Sequence, residues 1–214
     1  HMKVDDAGTD HLDCHYNATE VGLTTSLVSV GTWYYGACVS DASTLRTYRD
    51  GSQQSSASIT GSIAETTRAT FGKRSFDTTL SFAGKLDEVR VESIAREGSD
   101  IVTMYRNMNA TSTFYTVGSQ EGRRSTVRLG ATPATTPAST WYSPSWQYRR
   151  TLTLLASGVS GDKIATTTTV GSANFPTLVS FSDTSLTSLM ASDCTDALFT
   201  SSNGTTKLNH EVES

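Results

Sequence analysis

The chain has 214 residues, of which 36% are apolar and 18% charged, and a formal net charge of −4. That length holds one large or two small domains. It carries no basic excess to neutralise phosphates, so no nucleic acid partner is expected, and no apolar run approaches the ~18 residues of a membrane span. The sequence holds 30 Ser and 35 Thr: β-branched Thr suits half-exposed pleated surface and Ser suits turns, so the composition predicts many short strands with polar outer faces. No signal peptide is visible, and His1-Met2 reads as a cloning remnant behind which a native leader could have been lost.

In chain order, His11 to Tyr16 alternates polar and apolar residues. Leu27 to Val30 leads through Gly31 into Trp33-Tyr34-Tyr35-Gly36-Ala37-Cys38-Val39, where the period of two puts Trp33, Tyr35, Ala37 and Val39 on one face. Asp41 to Ser43 is a turn cluster, Leu45 to Arg49 is a further alternating strand, and Asp50-Gly51 is a hairpin stop. Residues 51–67 are polar and read as a loop with one weak strand. Leu86-Asp87-Glu88-Val89-Arg90-Val91 predicts a strand. Ile101, Met104 and Tyr105 share a helical face, and Phe114 to Val117 predicts a closing strand. Cys14, Cys38 and Cys194 fit no zinc spacing. They are expected as small buried apolar residues, with a Cys14–Cys38 pairing the alternative in an oxidising compartment.

Trp33, then Tyr48-Arg49-Asp50-Gly51, then Gly84-Lys85-Leu86-Asp87-Glu88-Val89-Arg90 follow one another in an order that resembles the laminin-G-like, concanavalin-A-like jelly-roll family over residues 24–118. The resemblance implies an antiparallel sandwich whose front strands have no counterpart before residue 10. It also implies a structural Ca²⁺ held in part by Asp87 with oxygens of the opening segment, since carboxylate and carbonyl oxygens suit that ion. The other reading of Asp87 is a pairing with Arg90 or a cap on a backbone group.

Pro, Thr and Ala without periodicity over residues 122–144 make an extended linker. Trp146 to Leu154 then starts a new alternating pattern. With Asn174-Phe175-Pro176-Thr177-Leu178-Val179, Phe199-Thr200 through Gly204, and His210-Glu211-Val212-Glu213, it resembles the start of an uncharacterised bacterial β-sandwich family found beside laminin-G-like domains in secreted proteins.

Catalytic patterns are weak. Ser160-Gly161-Asp162-Lys163 matches S-x-x-K but falls in a turn rather than at a helix start. Glu88 with Glu92, and Glu211 with Glu213, read as solvated strand faces and do not reproduce the Glu-x-Asp-x-x-Glu strand of jelly-roll glucanases. His11, His15 and His210 are too dispersed for a metal site. The aromatics best placed to meet a sugar ring are Tyr34, Trp141 and Tyr142.

These observations predict an all-β, antiparallel jelly-roll or β-sandwich over residues 3–121, a linker over 122–144 and a partial second β domain over 145–214. The function expected is a non-catalytic glycan- or surface-binding adhesion module of a larger secreted bacterial protein. Its partner would be a carbohydrate or cell-surface polymer, and its place extracellular or on the cell surface. A hydrolase on the same scaffold and a structural spacer are the alternatives. Bare sheet edges recruit strands, so strands of 145–214 are expected against the first domain, within one chain or in a homodimer formed by strand complementation.

Overall fold

The structure, a computed structural model, describes residues 2–4, 12–16, 19–21, 28–60, 71, 82–122, 141–160, 176–180, 182–183 and 189–212. The linker stretch 123–140, Lys163, Asn174 and Phe175, His11 and Glu213 lie outside the described residues. The chain divides into two compact units, residues 1–114 with 156–178, and residues 115–155 with 179–214.

In the first unit, β1 (Met2–Val4), β2 (Leu12–Tyr16) and β3 (Thr19–Val21) form one antiparallel sheet. A second antiparallel sheet is built from β4 (Gly36–Ser40), β5 (Thr44–Arg49) and β6 (Ser52–Ser58). The β5–β6 connection is the Asp50-Gly51 hairpin that the sequence announces. Both residues have positive φ, 50° and 79°, and Arg49 lies opposite Ser52, as a two-residue type I′ turn requires. A Cβ on Gly51 would also meet Tyr105 Cδ1 at 3.0 Å, so the position is restricted by conformation and by space.

The β4-β5-β6 sheet is covered on both faces. On one, Val39 and Tyr48 pack with Ile101 and Met104, and Tyr35 and Ala37 close around them. On the other, Leu45 packs with Ile59, Ala57 and Cys14, and β2 and β3 lie against β5 and β6. Ile101 and Met104 come from the helix α1 (Gly98–Asn109), which starts at a reciprocal capping box between Glu97 and Asp100. Acidic Asp100 in its first turn and basic Arg106 in its last agree with the helix dipole.

Helix α1 has a second, polar face that the periodicity does not reveal. Thr103 and Asn107, four residues apart, are both buried. Thr103 Oγ1 donates to Ser99 O at 2.7 Å and accepts the Ser160 amide at 2.9 Å. Asn107 Nδ2 donates to Leu178 O at 3.0 Å while its Oδ1 accepts the Leu178 amide at 2.6 Å. Chain from far downstream is thus held on the helix by side chain to backbone bonds. The buried ring of Phe114 fixes the same region: a Cβ on Gly158 would meet its Cδ2 at 2.6 Å.

The cysteines correct one expectation. Cys14 and Cys38 are bonded, with Cα atoms 5.9 Å apart, joining β2 to β4. Cys38 points to the opposite face from Val39, which is the face that β2 covers, so stacking of the two sheets brings the thiols together. Cys194 is free and half-buried. Two further expectations fail locally. Strand β4 begins only at Gly36, so the alternation does not extend back to Trp33, which is 63% exposed. Leu86 to Val91 is irregular and in no ladder. Glu88 has φ 51°, which breaks the extended run, and Arg90 turns back onto Glu88 at 2.6 Å.

In the second unit, β7 (Tyr115–Val117) pairs antiparallel with β10 (Leu152–Leu154), and β8 (Glu121–Gly122) with β9 (Tyr148–Arg149). The alternation from Trp146 to Leu154 is therefore split at Arg150-Thr151, where Gly118 N donates to Thr151 O at 2.8 Å. The Tyr115 hydroxyl accepts the Ser180 amide at 2.7 Å and donates to Ser180 O at 2.5 Å. Residues 199–208 form a tight turn closed by the Thr200–Lys207 bridge, with Asn203 Oδ1 accepting the Thr205 and Thr206 amides and Gly204 at φ 73°. The all-β, antiparallel class expected from sequence holds, with α1 the one α-helix among the described residues.

Two outcomes are expected. With its cysteines 24 positions apart in sequence, the disulfide should stabilise the fold by about 3 kcal/mol through loop-closure entropy, so reduction or Cys14→Ala/Cys38→Ala should lower the midpoint of urea unfolding accordingly. Asn107→Ala should cost about 1–3 kcal/mol by leaving a buried amide and carbonyl unpaired, and hydrogen exchange should show the Leu178 amide losing protection more than the amides of β5.

Candidate functional site

A half-open cleft of about 360 Å³ lies between β5 and the start of α1, lined by Asp41, Arg46, Tyr48 and residues 95–98. The β4–β5 turn positions its outer wall. Asp41 Oδ1 accepts the Thr44 amide at 2.8 Å, the Ser43 amide at 3.1 Å and the Ser43 hydroxyl at 2.8 Å. Its Oδ2 takes the Arg46 guanidinium at 2.6 Å. Such an Asp turn is what the Asp-Ala-Ser cluster offers, and it leaves Ala42 at φ 71°. The inner wall is Tyr48, whose ring is buried and whose hydroxyl donates to Gln53 Oε1 at 3.3 Å. The third side is the helix-capping stretch with Arg96 and Glu97, where Arg96 pairs with Glu92 one helical turn earlier in sequence.

Charge in the cleft is largely matched internally. The Arg46 guanidinium, then the Ser43 hydroxyl and the turn amides, hold the Asp41 carboxyl well below the usual carboxylate range. Asp41 is therefore ionised at every physiological pH and has no proton to donate. The Glu92 carboxylate raises the Arg96 pKa, and burial raises that of the Tyr48 phenol. What remains is a rim of fixed donors and acceptors on paired ions. Each guanidinium of the cleft already faces a carboxylate, Arg46 that of Asp41 and Arg96 that of Glu92.

The aromatics singled out in the sequence are placed as follows. Tyr34 lies in the first unit, half-buried. Its hydroxyl accepts the Ser29 amide at 3.1 Å, which lowers its pKa, and the Arg49 guanidinium stands 5.4 Å from the ring centroid. Trp141 and Tyr142 lie in the second unit. Trp141 is half-buried, with the Arg149 guanidinium 4.8 Å from its ring, and Arg149 in turn pairs with Glu121 at 2.7 Å. Tyr142 is 44% exposed. Sequence reasoning missed Trp33, the most exposed ring of its segment, because the strand period was run through it. It also missed the cleft, whose walls come together only when α1 packs on β5.

Asp87 is exposed, and its Oδ1 accepts the following Glu88 amide at 3.0 Å. Arg90 pairs with Glu88 and not with Asp87. Among the described residues no group of three His, Cys, Asp or Glu side chains gathers in metal-ligating range. Most of the opening segment from which the resemblance draws its other oxygens lies outside the described residues. Of the carboxylates weighed for acid–base chemistry, Glu88 is engaged by Arg90 and Glu92 by Arg96. The backbone amide of Ser160 is tied to Thr103, and His210 stands edge-on to Phe199 with centroids 5.4 Å apart.

A depressed folded-state pKa contributes stability above the unfolded-state value and loses it as pH falls towards the folded one. Wild type should therefore exceed Asp41→Ala in stability near neutral pH, and that margin should shrink as pH falls from about 5 to about 2. Urea titrations of both proteins across this range measure it.

No curated protein and no solved structure matches the chain. Residues 1–102, which hold the six described strands of the first unit and the lining of the cleft, match the family model described as the concanavalin A-like lectin/glucanases superfamily, of the laminin-G type.

Proposed function

We propose that the chain is a carbohydrate-binding module of a larger secreted or cell-surface protein, and that its first unit binds neutral glycans. The observation that carries this reading is the cleft lined by Asp41, Arg46, Tyr48, Arg96 and Glu97, set within the stretch that matches a lectin and glucanase superfamily. Paired charges offer preset hydrogen-bonding partners to vicinal hydroxyls, and an exposed flat ring stacks on the apolar face of a pyranose. Trp33 is the ring proposed for stacking in the first unit. Tyr34 is proposed beside it, and Trp141 and Tyr142 as contacts made by the second unit. The Cys14–Cys38 disulfide supports an oxidising compartment outside the cytosol. The second unit is proposed to belong to the uncharacterised bacterial family its motifs resemble, found beside such domains in secreted proteins.

A glycan array probed with the full chain is expected to give binding to neutral oligosaccharides, while glycosidase and esterase panels run beside it stay at buffer rates. Trp33→Ala should weaken the best array hit by roughly 10-fold, the worth of one stacked ring, with an unchanged circular dichroism spectrum because that ring is mostly in solvent. An array with no glycan above background overturns the proposal.

A further inference from the structure

The two halves of the Cys14–Cys38 bridge meet different surroundings. Cys14 is 2% exposed and sits against Leu45, Ile59 and Ala57. Cys38 is exposed. It lies in the middle of β4, which among the described residues is paired on one side only, by β5. Val39, the next residue of that strand, is buried against α1 on the other face of the sheet, so the strand fixes which way Cys38 looks. One covalent bond thus joins a sulfur inside a packed core to a residue open to solvent.

In thiol–disulfide exchange a thiolate attacks one sulfur and expels the other. Two demands compete over which sulfur is attacked. Leaving-group chemistry favours attack on Cys14, because the Cys38 sulfur would then depart into water. Access favours attack on Cys38, because an incoming sulfur has no room among Leu45, Ile59 and Ala57 in a close-packed interior. Access decides, since the leaving-group preference acts only on an encounter that can occur. The small thiol's sulfur bonds to Cys38 Sγ, the Cys14–Cys38 bond breaks, and its electron pair leaves on Cys14 Sγ. That sulfur then takes a proton, because apolar surroundings disfavour a charge. One disulfide is exchanged for another, so this step consumes neither an oxidant nor a reductant. Cys14 remains packed on β5 and can expel the small thiol again, which closes the bridge.

We propose that Cys38 is a site of reversible thiolation, at which a low-molecular-weight aliphatic thiol enters the bridge and unfastens the β1-β2-β3 sheet from β4. The test uses the full chain, together with a Cys194→Ser variant that removes the free thiol. Each is incubated with L-cysteine at mildly alkaline pH, quenched in acid to stop exchange, digested with pepsin and mapped by mass spectrometry. In the folded chain the cysteine adduct is expected on Cys38 in roughly 10-fold or greater excess over Cys14, because access governs exchange. In concentrated urea both sulfurs meet solvent alike, and the ratio should fall towards one. Hydrogen exchange on the thiol-treated chain should show the amides of β2 losing protection before those of β5. Should the Cys194→Ser variant fail to fold by circular dichroism, the wild-type ratio decides, with any adduct on Cys194 mapped separately. A ratio near one in the folded chain overturns the proposal. So does a preference for Cys14, or a folded chain that takes up no adduct at thiol concentrations where the unfolded chain does.

Discussion

Helix α1 has to satisfy two surfaces with incompatible chemistry, and most of the first unit follows from how it does so. Its Ile101 and Met104 side complete the core over Val39 and Tyr48, where burial is favourable because nothing polar is trapped. Its Thr103 and Asn107 side is equally buried but faces backbone, and there each polar group is matched by an amide or carbonyl of the returning chain. An unmatched Asn in that place would destabilise the helix position as much as the apolar face secures it. The helix can therefore settle only where both the β4-β5-β6 sheet and residues near 160 and 178 are present, and its capping turn then supplies one wall of the cleft.

The features that could be read in the sequence are those set by neighbours in the chain. Asp50-Gly51 declares a type I′ turn because few other dipeptides tolerate two positive φ values. Ala37 and Val39 declare a face because β4 is regular where they lie. Ile101, Met104 and Tyr105 do the same for α1. The features that could not be read depend on partners remote in sequence. Leu86 to Val91 has the alternation of a strand, but a strand exists only when another backbone accepts its hydrogen bonds, and none of the described ones does. The Cys14–Cys38 bond depends on which face of β4 the β2 sheet covers. Asn107 owes its partners to Leu178, 71 residues further along the chain. The cleft belongs to this class too, since Asp41 and Glu97 are brought to one place only by packing.

The same reasoning shapes what the cleft can do. Its ions are committed to one another through the Asp41–Arg46 and Glu92–Arg96 pairs, so it presents dipoles and paired charges in place of a net field. A site of that kind discriminates by the directions of its donors and acceptors. It has little long-range pull on charged solutes, in keeping with a reading as a receptor for uncharged hydroxylated polymers, where many weak contacts add.

When a chain is pulled by its termini, a covalent tie such as that between β2 and β4 acquires a mechanical meaning. With Cys14 and Cys38 bonded, the stretch between them, 24 positions of sequence, is withheld from extension, removing about 80 Å of contour length from what the chain can pay out. Tension entering from the N-terminal side passes across the sulfurs directly into β4. It bypasses β3 and reaches the hydrogen bonds between β4 and β5. Those bonds run roughly perpendicular to antiparallel strands. Whether they open one by one or together depends on the direction of pull, so the sulfur bridge selects which ladder first feels the load.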